Sequence, residues 1–146
     1  MKVKMQIWDT AGLEEYKAIN RLYYSKAAVI CLVYSVTDYE SFDSLAEWHK
    51  EIAENADKNC LKFVVGAKSD DTEAEETVPK SQGVEYARQI GATYFLTSAK
   101  TNSGINNMFN KAAEMCAVRQ ELRNDVDVSL KSGSDLIRVT FSYANC

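Results

Sequence analysis

Leu61-Lys62-Phe63-Val64-Val65-Gly66-Ala67-Lys68-Ser69-Asp70 joins a short, nearly unbroken apolar run to a polar cluster. A run of that length reads as a strand buried on both faces, with its chemistry gathered at its C-terminal end. Ala27-Ala28-Val29-Ile30-Cys31-Leu32-Val33-Tyr34 upstream is a second such run. Downstream, Thr93-Tyr94-Phe95-Leu96 leads into Thr97-Ser98-Ala99-Lys100. At the front, Val3-Lys4-Met5-Gln6-Ile7-Trp8 alternates apolar with polar, which suits a strand with one buried face, and it ends at Asp9.

Helical spacing fills the intervals. Leu13 to Tyr24 has mixed helical character. Thr37 followed by Glu40 forms a capping-box pattern, and Phe42, Leu45, Trp48 and Ile52 then recur at helical spacing, which predicts one helix from about Asp38 to Asn55. Ser81 to Gln89 predicts a shorter helix with Val84, Ala87 and Ile90 on one face, stopped by Gly91. Ile105, Met108, Phe109, Ala112, Met115, Cys116 and Arg119 trace a long amphipathic helix ending near Arg123. Strands alternating with helices in this way predict a parallel sheet covered on both faces, the α/β class, whose ligands bind where strands end.

Composition narrows the functions. The 146 residues suffice for one domain with a single core, and 46% hydrophobic content fits a globular protein. A net charge of −4 with no clustering of Lys or Arg gives no footprint for nucleic acid or anionic lipid. Cys31, Cys60, Cys116 and Cys146 are widely spaced, with His49 the one histidine, so neither zinc nor a disulfide framework is expected. Reduced thiols within apolar segments point to a reducing, cytoplasmic setting. The longest apolar run, Ala27 to Val33, is far too short to cross a bilayer.

Asp9-Thr10-Ala11-Gly12 places a carboxylate, which can face hydrated magnesium, beside a glycine whose N–H can approach a phosphate closely. Alone, this pattern is equally a strand-terminating turn with an Asp cap. Taken in order with Gly66-Ala67-Lys68-Ser69-Asp70 and Thr97-Ser98-Ala99-Lys100, it resembles the Ras superfamily of small GTPases, and within it the Rab branch, with a general pattern nearest the endosomal members. The resemblance extends through Tyr23-Tyr24, Val33-Tyr34, Ser41-Phe42 and Gly104-Ile105, over roughly residues 3 to 118. It implies a P-loop NTPase-like sheet with helices on both faces. It also implies GTP or GDP with magnesium as ligand, and vesicle-mediated transport as the process. By that resemblance Asp70 accepts hydrogen bonds from the guanine edge, Lys68 and Lys100 lie along the base faces, and the Ala99 N–H meets the base carbonyl, with Ser98 in the same loop. Asp9 and Gly12 serve magnesium, indirectly, and the terminal phosphate. Trp8 and Tyr23 match two of three aromatic positions through which Rab proteins contact effectors; simple core packing accounts for them equally.

Three departures alter what the resemblance implies. No G-x-x-x-x-G-K-[ST] segment occurs, so the sequence enters the family's pattern at its third strand, with the first two strands and first helix absent, together with the phosphate cradle and first switch. Leu13 stands where the family carries the glutamine that orients the attacking water, and leucine can neither donate nor accept a hydrogen bond. Ala67 stands where the family has a base-contacting asparagine. No catalytic residue is therefore expected, and guanine-nucleotide affinity should be about millimolar or weaker. Two readings follow: a Rab-related GTPase deficient in activity, or a nucleotide-independent module that binds effectors or regulators.

Residues 1–123 are thus expected to form a partial GTPase domain and 124–146 a divergent tail. In the family the missing first strand lies between the strands represented by Val3 to Trp8 and Ala27 to Tyr34, and an open slot there would leave backbone groups unpaired. Leu136-Ile137-Arg138-Val139-Thr140-Phe141-Ser142-Tyr143 is rich in β-branched and aromatic residues and suits a strand filling that slot in parallel; a disordered tail is the alternative. Cys146 is terminal, but with Tyr143 four from the end there is neither a C-a-a-X box nor a double-cysteine end. Peripheral attachment to endomembranes is then an implication of the resemblance rather than of a lipidation motif.

Overall fold

The computed structural model describes residues 4–10, 17–71, 78–124 and 136–143. In chain order these form β1 (Lys4–Asp9), α1 (Lys17–Tyr24), β2 (Val29–Ser35), α2 (Tyr39–Asp43), α3 (Leu45–Asn55), β3 (Leu61–Ala67), α4 (Lys80–Gln89), β4 (Thr93–Leu96), α5 (Ile105–Asn124) and β5 (Leu136–Tyr143). The strands make one sheet of order β1-β5-β2-β3-β4, and every pairing is parallel.

β5 occupies the slot between β1 and β2. Ile7 and Val29 both register with Val139, and Asp9 and Cys31 both register with Phe141. The β-branched and aromatic residues of this strand are what a central, two-faced position demands. Ile137, Val139, Thr140, Phe141 and Ser142 are all buried. Full burial of an aliphatic or aromatic side chain contributes about 1.5–3 kcal/mol, so Ile137, Val139 and Phe141 help offset the entropy of ordering a distant segment. Two side-chain links fix the strand further: the Thr10 hydroxyl donates to the Phe141 carbonyl, and the Tyr24 and Ser142 hydroxyls lie 3.1 Å apart.

The sheet's two faces carry separate cores. Ile30, Leu32, Tyr34 and Val64 pack with Tyr24 of α1, Leu45, Trp48 and Ile52 of α3 and Ala87 of α4. Residues of opposite parity, Val29, Cys31, Val33, Phe63, Val65, Ile137, Val139 and Phe141, pack with Met108 and Ala112 of α5. That alternation is why β2 is buried along its whole length and reads as uninterrupted apolar sequence.

Three local expectations are corrected. The helix cap is Asp38, not Thr37: its Oδ1 accepts from the N–H groups of Glu40 (3.0 Å) and Ser41 (3.3 Å), while the Thr37 hydroxyl meets that of Ser35 at 3.0 Å. The single helix expected from Asp38 to Asn55 is two, joined at Ser44, whose hydroxyl donates back to the Ser41 carbonyl at 3.0 Å. Val84 is exposed, and the buried positions of α4 are Gly83 and Ala87, with Tyr86 and Ile90 packed against the core. Cys31, Cys60 and Cys116 are free thiols; burial pushes the Cys60 thiol up to about 12 and raises those of Cys31 and Cys116.

Candidate functional site

The C-terminal ends of β3 and β4 launch two adjacent loops, which backbone hydrogen bonds lock together. The Thr97 N–H donates to the Gly66 carbonyl at 2.8 Å, and the Ser69 N–H donates to the Thr97 carbonyl at 3.1 Å. Lys68 adopts a left-handed backbone (φ 61), turning the chain sharply so that Asp70 comes back over the sheet end. In the second loop the Ser98 N–H donates to the Ser103 carbonyl at 3.0 Å. Gly104 then starts α5 at φ +73, and a Cβ there would sit 2.1 Å from the Leu96 carbonyl oxygen, so this close crossing requires glycine.

Asp70 is the junction. Its Oδ1 accepts from the Ser98 hydroxyl, which itself accepts the Thr101 N–H at 3.1 Å, and its Oδ2 lies 3.9 Å from the Lys100 ammonium. The Ser98 hydrogen bond, aided by a backbone N–H and by Lys100, holds the Asp70 carboxyl below its ordinary range against a smaller opposing effect of desolvation. A fixed, ionised carboxylate at a cleft mouth can accept a pair of N–H donors from a planar ligand edge.

The cleft itself has a volume of ≈ 690 Å³. Val33, Val65, Ala67, Ile105, Met108 and Phe141 supply its apolar walls, and Lys68, Asp70, Asp71, Thr97 and Lys100 its polar rim, with Ala99 also lining it. Four sequence-predicted residues, Lys68, Asp70, Ala99 and Lys100, therefore meet at one site, and Ser98 braces it from behind. Ala67, at the end of β3, presents only a methyl group to it.

The remaining predicted residues lie elsewhere. Asp9 ends β1 and is exposed; it registers with Phe141 but does not line the cleft. Gly12 and Leu13 lie outside the described residues. Trp8 and Tyr23 stack with ring centroids 4.9 Å apart and planes tilted by 36°, and both are half-buried outside the cleft. Among the described residues no three His, Cys, Asp or Glu side chains converge as metal ligands. Asp9 is the one predicted magnesium residue, and it stands at the C-terminal end of β1.

Phe141 is one of the cleft residues that the sequence reading missed. Its ring packs edge-on to Phe109 of α5, with centroids 5.9 Å apart, and helps form the cleft wall. The strand pattern of 136–143 was the available signal, since a strand in the central slot ends beside the loops after β3.

A parallel α/β sheet with a cleft over the ends of β3 and β4 has its cavity where this class of fold gathers its ligands. Residues 1–118 match the family model described as Ras family. The chain is 42% identical over 113 residues to the Ras-related protein RABE1d of Arabidopsis thaliana, covering 77% of this chain and 52% of that protein. It is 37% identical over 135 residues to Rab-13 of Canis lupus familiaris, covering 92% and 66%. Against RABE1e of Arabidopsis thaliana it is 38% identical over 144 residues, covering 99% and 64%. The chain belongs to the Ras family of small GTPases, in its Rab branch. It spans about half to two thirds of the length of these curated relatives.

Proposed function

We propose that this chain is a Rab-type protein of vesicle-mediated transport whose cleft recognises a guanine base but holds phosphate and magnesium weakly, so that GTP hydrolysis is deficient. The observation that carries the reading is the Asp70 carboxylate, fixed by Ser98 and flanked by Lys68 and Lys100 at the mouth of an apolar cleft. Asp70 takes the N–H groups of the base edge, the Lys68 and Lys100 stems cover its faces, and the Ala99 N–H takes its carbonyl. Toward β5 the wall becomes Phe141, a hydrocarbon ring that offers no donor to a phosphate. Ala67 gives no amide to the base, and Leu13 no group to a nucleophilic water. Charge-assisted hydrogen bonds of roughly 1.5–3 kcal/mol each, set against the cost of immobilising a ligand, leave an affinity near millimolar.

Titration with guanosine, GDP and adenosine in the presence of magnesium tests this. Guanosine and GDP are expected to bind within about tenfold of one another, and adenosine more weakly. Submicromolar, magnesium-dependent GDP binding would overturn the weak-phosphate reading.

The Trp8–Tyr23 stack favours a second reading, a nucleotide-independent module that holds an effector or regulator protein. These rings are partly accessible and lie apart from the cleft. Such a module would bind the same partner equally with GDP, with a GTP analogue and with no nucleotide. Either form would work in the cytoplasm and at endomembrane surfaces, a reading that family membership supports; among the described residues no helix is long and apolar enough to cross a membrane.

A further inference from the structure

Between α2 and α4 lies a groove of ≈ 370 Å³ that has no lining residue in common with the nucleotide cleft. Part of its lining is aromatic. Phe42 packs on the core between Tyr39 and Tyr86, with ring centroids 6.1 and 5.8 Å away and planes turned by 53° and 70°, so the three rings make an angled surface rather than a flat stack. Tyr39 is 52% exposed. The rest of the lining is polar and comes from one face of α4, where Ser81, Gln82, Glu85 and Gln89 recur at helical spacing.

The described lining residues include one carboxylate and no Lys or Arg. Arg88, which does not line the groove, donates to both Glu85 oxygens at 2.7 and 2.9 Å, and Gln89 Nε2 donates to Oε1 at 3.2 Å. Held by Arg88 first and Gln89 second, the Glu85 carboxyl is pulled down to about 2 and is ionised at neutral pH. These bonds fill both acceptor positions of Oε1 and one of Oε2, so one position on Oε2 remains. Asp43, exposed and one turn on from Tyr39 along α2, adds a second negative charge on that helix's side. Lys80, the other cation of α4, falls on a different face of the helix from Glu85 and Gln89.

We infer that this groove receives a single arginine side chain of a partner protein, its guanidinium against the tyrosine rings and one N–H on Glu85. A cation is selected because aromatic faces and an ionised carboxylate both attract one. An anionic or purely apolar occupant would leave Glu85 without a favourable contact. Arginine is selected over an ammonium by shape and donor count. The planar guanidinium lies flat on a ring and points five N–H donors outward in its plane, where Glu85 Oε2, the Ser81 hydroxyl and the amide oxygens of Gln82 and Gln89 can accept them. A lysine ammonium brings three donors and a more tightly held hydration shell, and a quaternary ammonium brings no donor for these oxygens. The inference does not depend on the guanine reading of the cleft.

NMR titration of the full chain with N-acetyl-arginine amide tests the site, with the citrulline analogue as an uncharged probe of the same shape and tetramethylammonium as a cation without donors. The arginine probe is expected to shift the ring signals of Tyr39 and Tyr86 and the side-chain amides of Gln82 and Gln89, saturating at about millimolar concentration or somewhat above. The other two probes should bind more weakly. Tyr39→Ala should weaken the arginine probe by about two- to fivefold, and because Tyr39 is exposed this variant should melt like the parent. Glu85→Gln should also weaken it. Arg88→Gln should tighten it, because it frees Glu85 from a competing guanidinium, a gain that damage to the fold would not produce. Equal binding of the citrulline analogue, tighter binding of tetramethylammonium, or no response to Tyr39→Ala would overturn the proposal. So would shifts confined to Ser98 and Ala99, which would put the arginine at Asp70 instead.

Discussion

The hydroxyls of Tyr24 and Ser142 lie 3.1 Å apart, joining the end of α1 to the last strand across 118 residues of sequence. Both are buried, and burial raises the Tyr24 hydroxyl's pKa, so the bond is made between neutral groups. Tyr24→Phe leaves the Ser142 hydroxyl without this partner and is expected to cost about 1 kcal/mol. Ser142→Ala should cost a similar amount, and the double variant less than the sum. A double-mutant cycle from urea denaturation reads the coupling, and strict additivity would mean that the two groups do not interact.

Val139 is 1% exposed and registers with both Ile7 and Val29. If β5 closes the sheet in solution, the amides of Val139 and Phe141 exchange with deuterium at the slow rate of β2. Val139→Ala removes two methyl groups from a packed position and should destabilise the fold by roughly 2 kcal/mol. Exchange as fast as that of the terminal residues would refute a structural role for the strand.

Several elements were plain in the sequence, and the reasons are physical. β2 and β3 are buried on both faces, so they had to be apolar at nearly every position, and α5 shows its inward face as Met108, Ala112 and Met115. β5 was suggested by Val139, Thr140 and Phe141, because a central parallel strand selects β-branched and aromatic residues. The break at Ser44 was hidden, since the apolar spacing of Phe42, Leu45 and Trp48 runs straight across it. The Asp38 cap was hidden by its neighbour Thr37, which offers the same chemistry one residue early. In the site, Lys68, Asp70 and Lys100 were legible as polar residues after strands. Phe141 was not, because its place in the cleft depends on pairing with β2, about a hundred positions away.

Ser98 is expected to set the charge of Asp70. Its hydrogen bond is the main cause that lowers the Asp70 carboxyl below the ordinary value of 3.8, ahead of the backbone N–H and Lys100. A depressed folded-state pKa contributes stability above pH 3.8, and that contribution is lost as the pH falls through the lowered value. In Ser98→Ala the carboxyl should titrate closer to 3.8, as followed by its carbon-13 shift. Lys100→Ala should move it less, because that ammonium is 83% exposed and 3.9 Å away. An equal or larger effect of Lys100→Ala would show that charge, not the hydroxyl, governs the site.

Gly91 and Gly104 offer a controlled comparison of strain with collision. Both have positive φ, +66 and +73, so alanine at either pays for a left-handed backbone, about 1 kcal/mol. At Gly91 an added methyl group meets nothing within 4 Å. At Gly104 it meets the Leu96 carbonyl oxygen, a backbone atom of β4 that cannot swing aside. Gly104→Ala should therefore be the more destabilising by a further 1–3 kcal/mol or so, and it should displace the Thr97 to Lys100 loop as well. Chemical denaturation reads the first effect. The second appears as amide shift changes at Ser98 and Ala99 that Gly91→Ala lacks. Equal destabilisation by the two substitutions would show that the chain at Gly104 relaxes away from β4, and that the crossing does not hold the rim of the cleft.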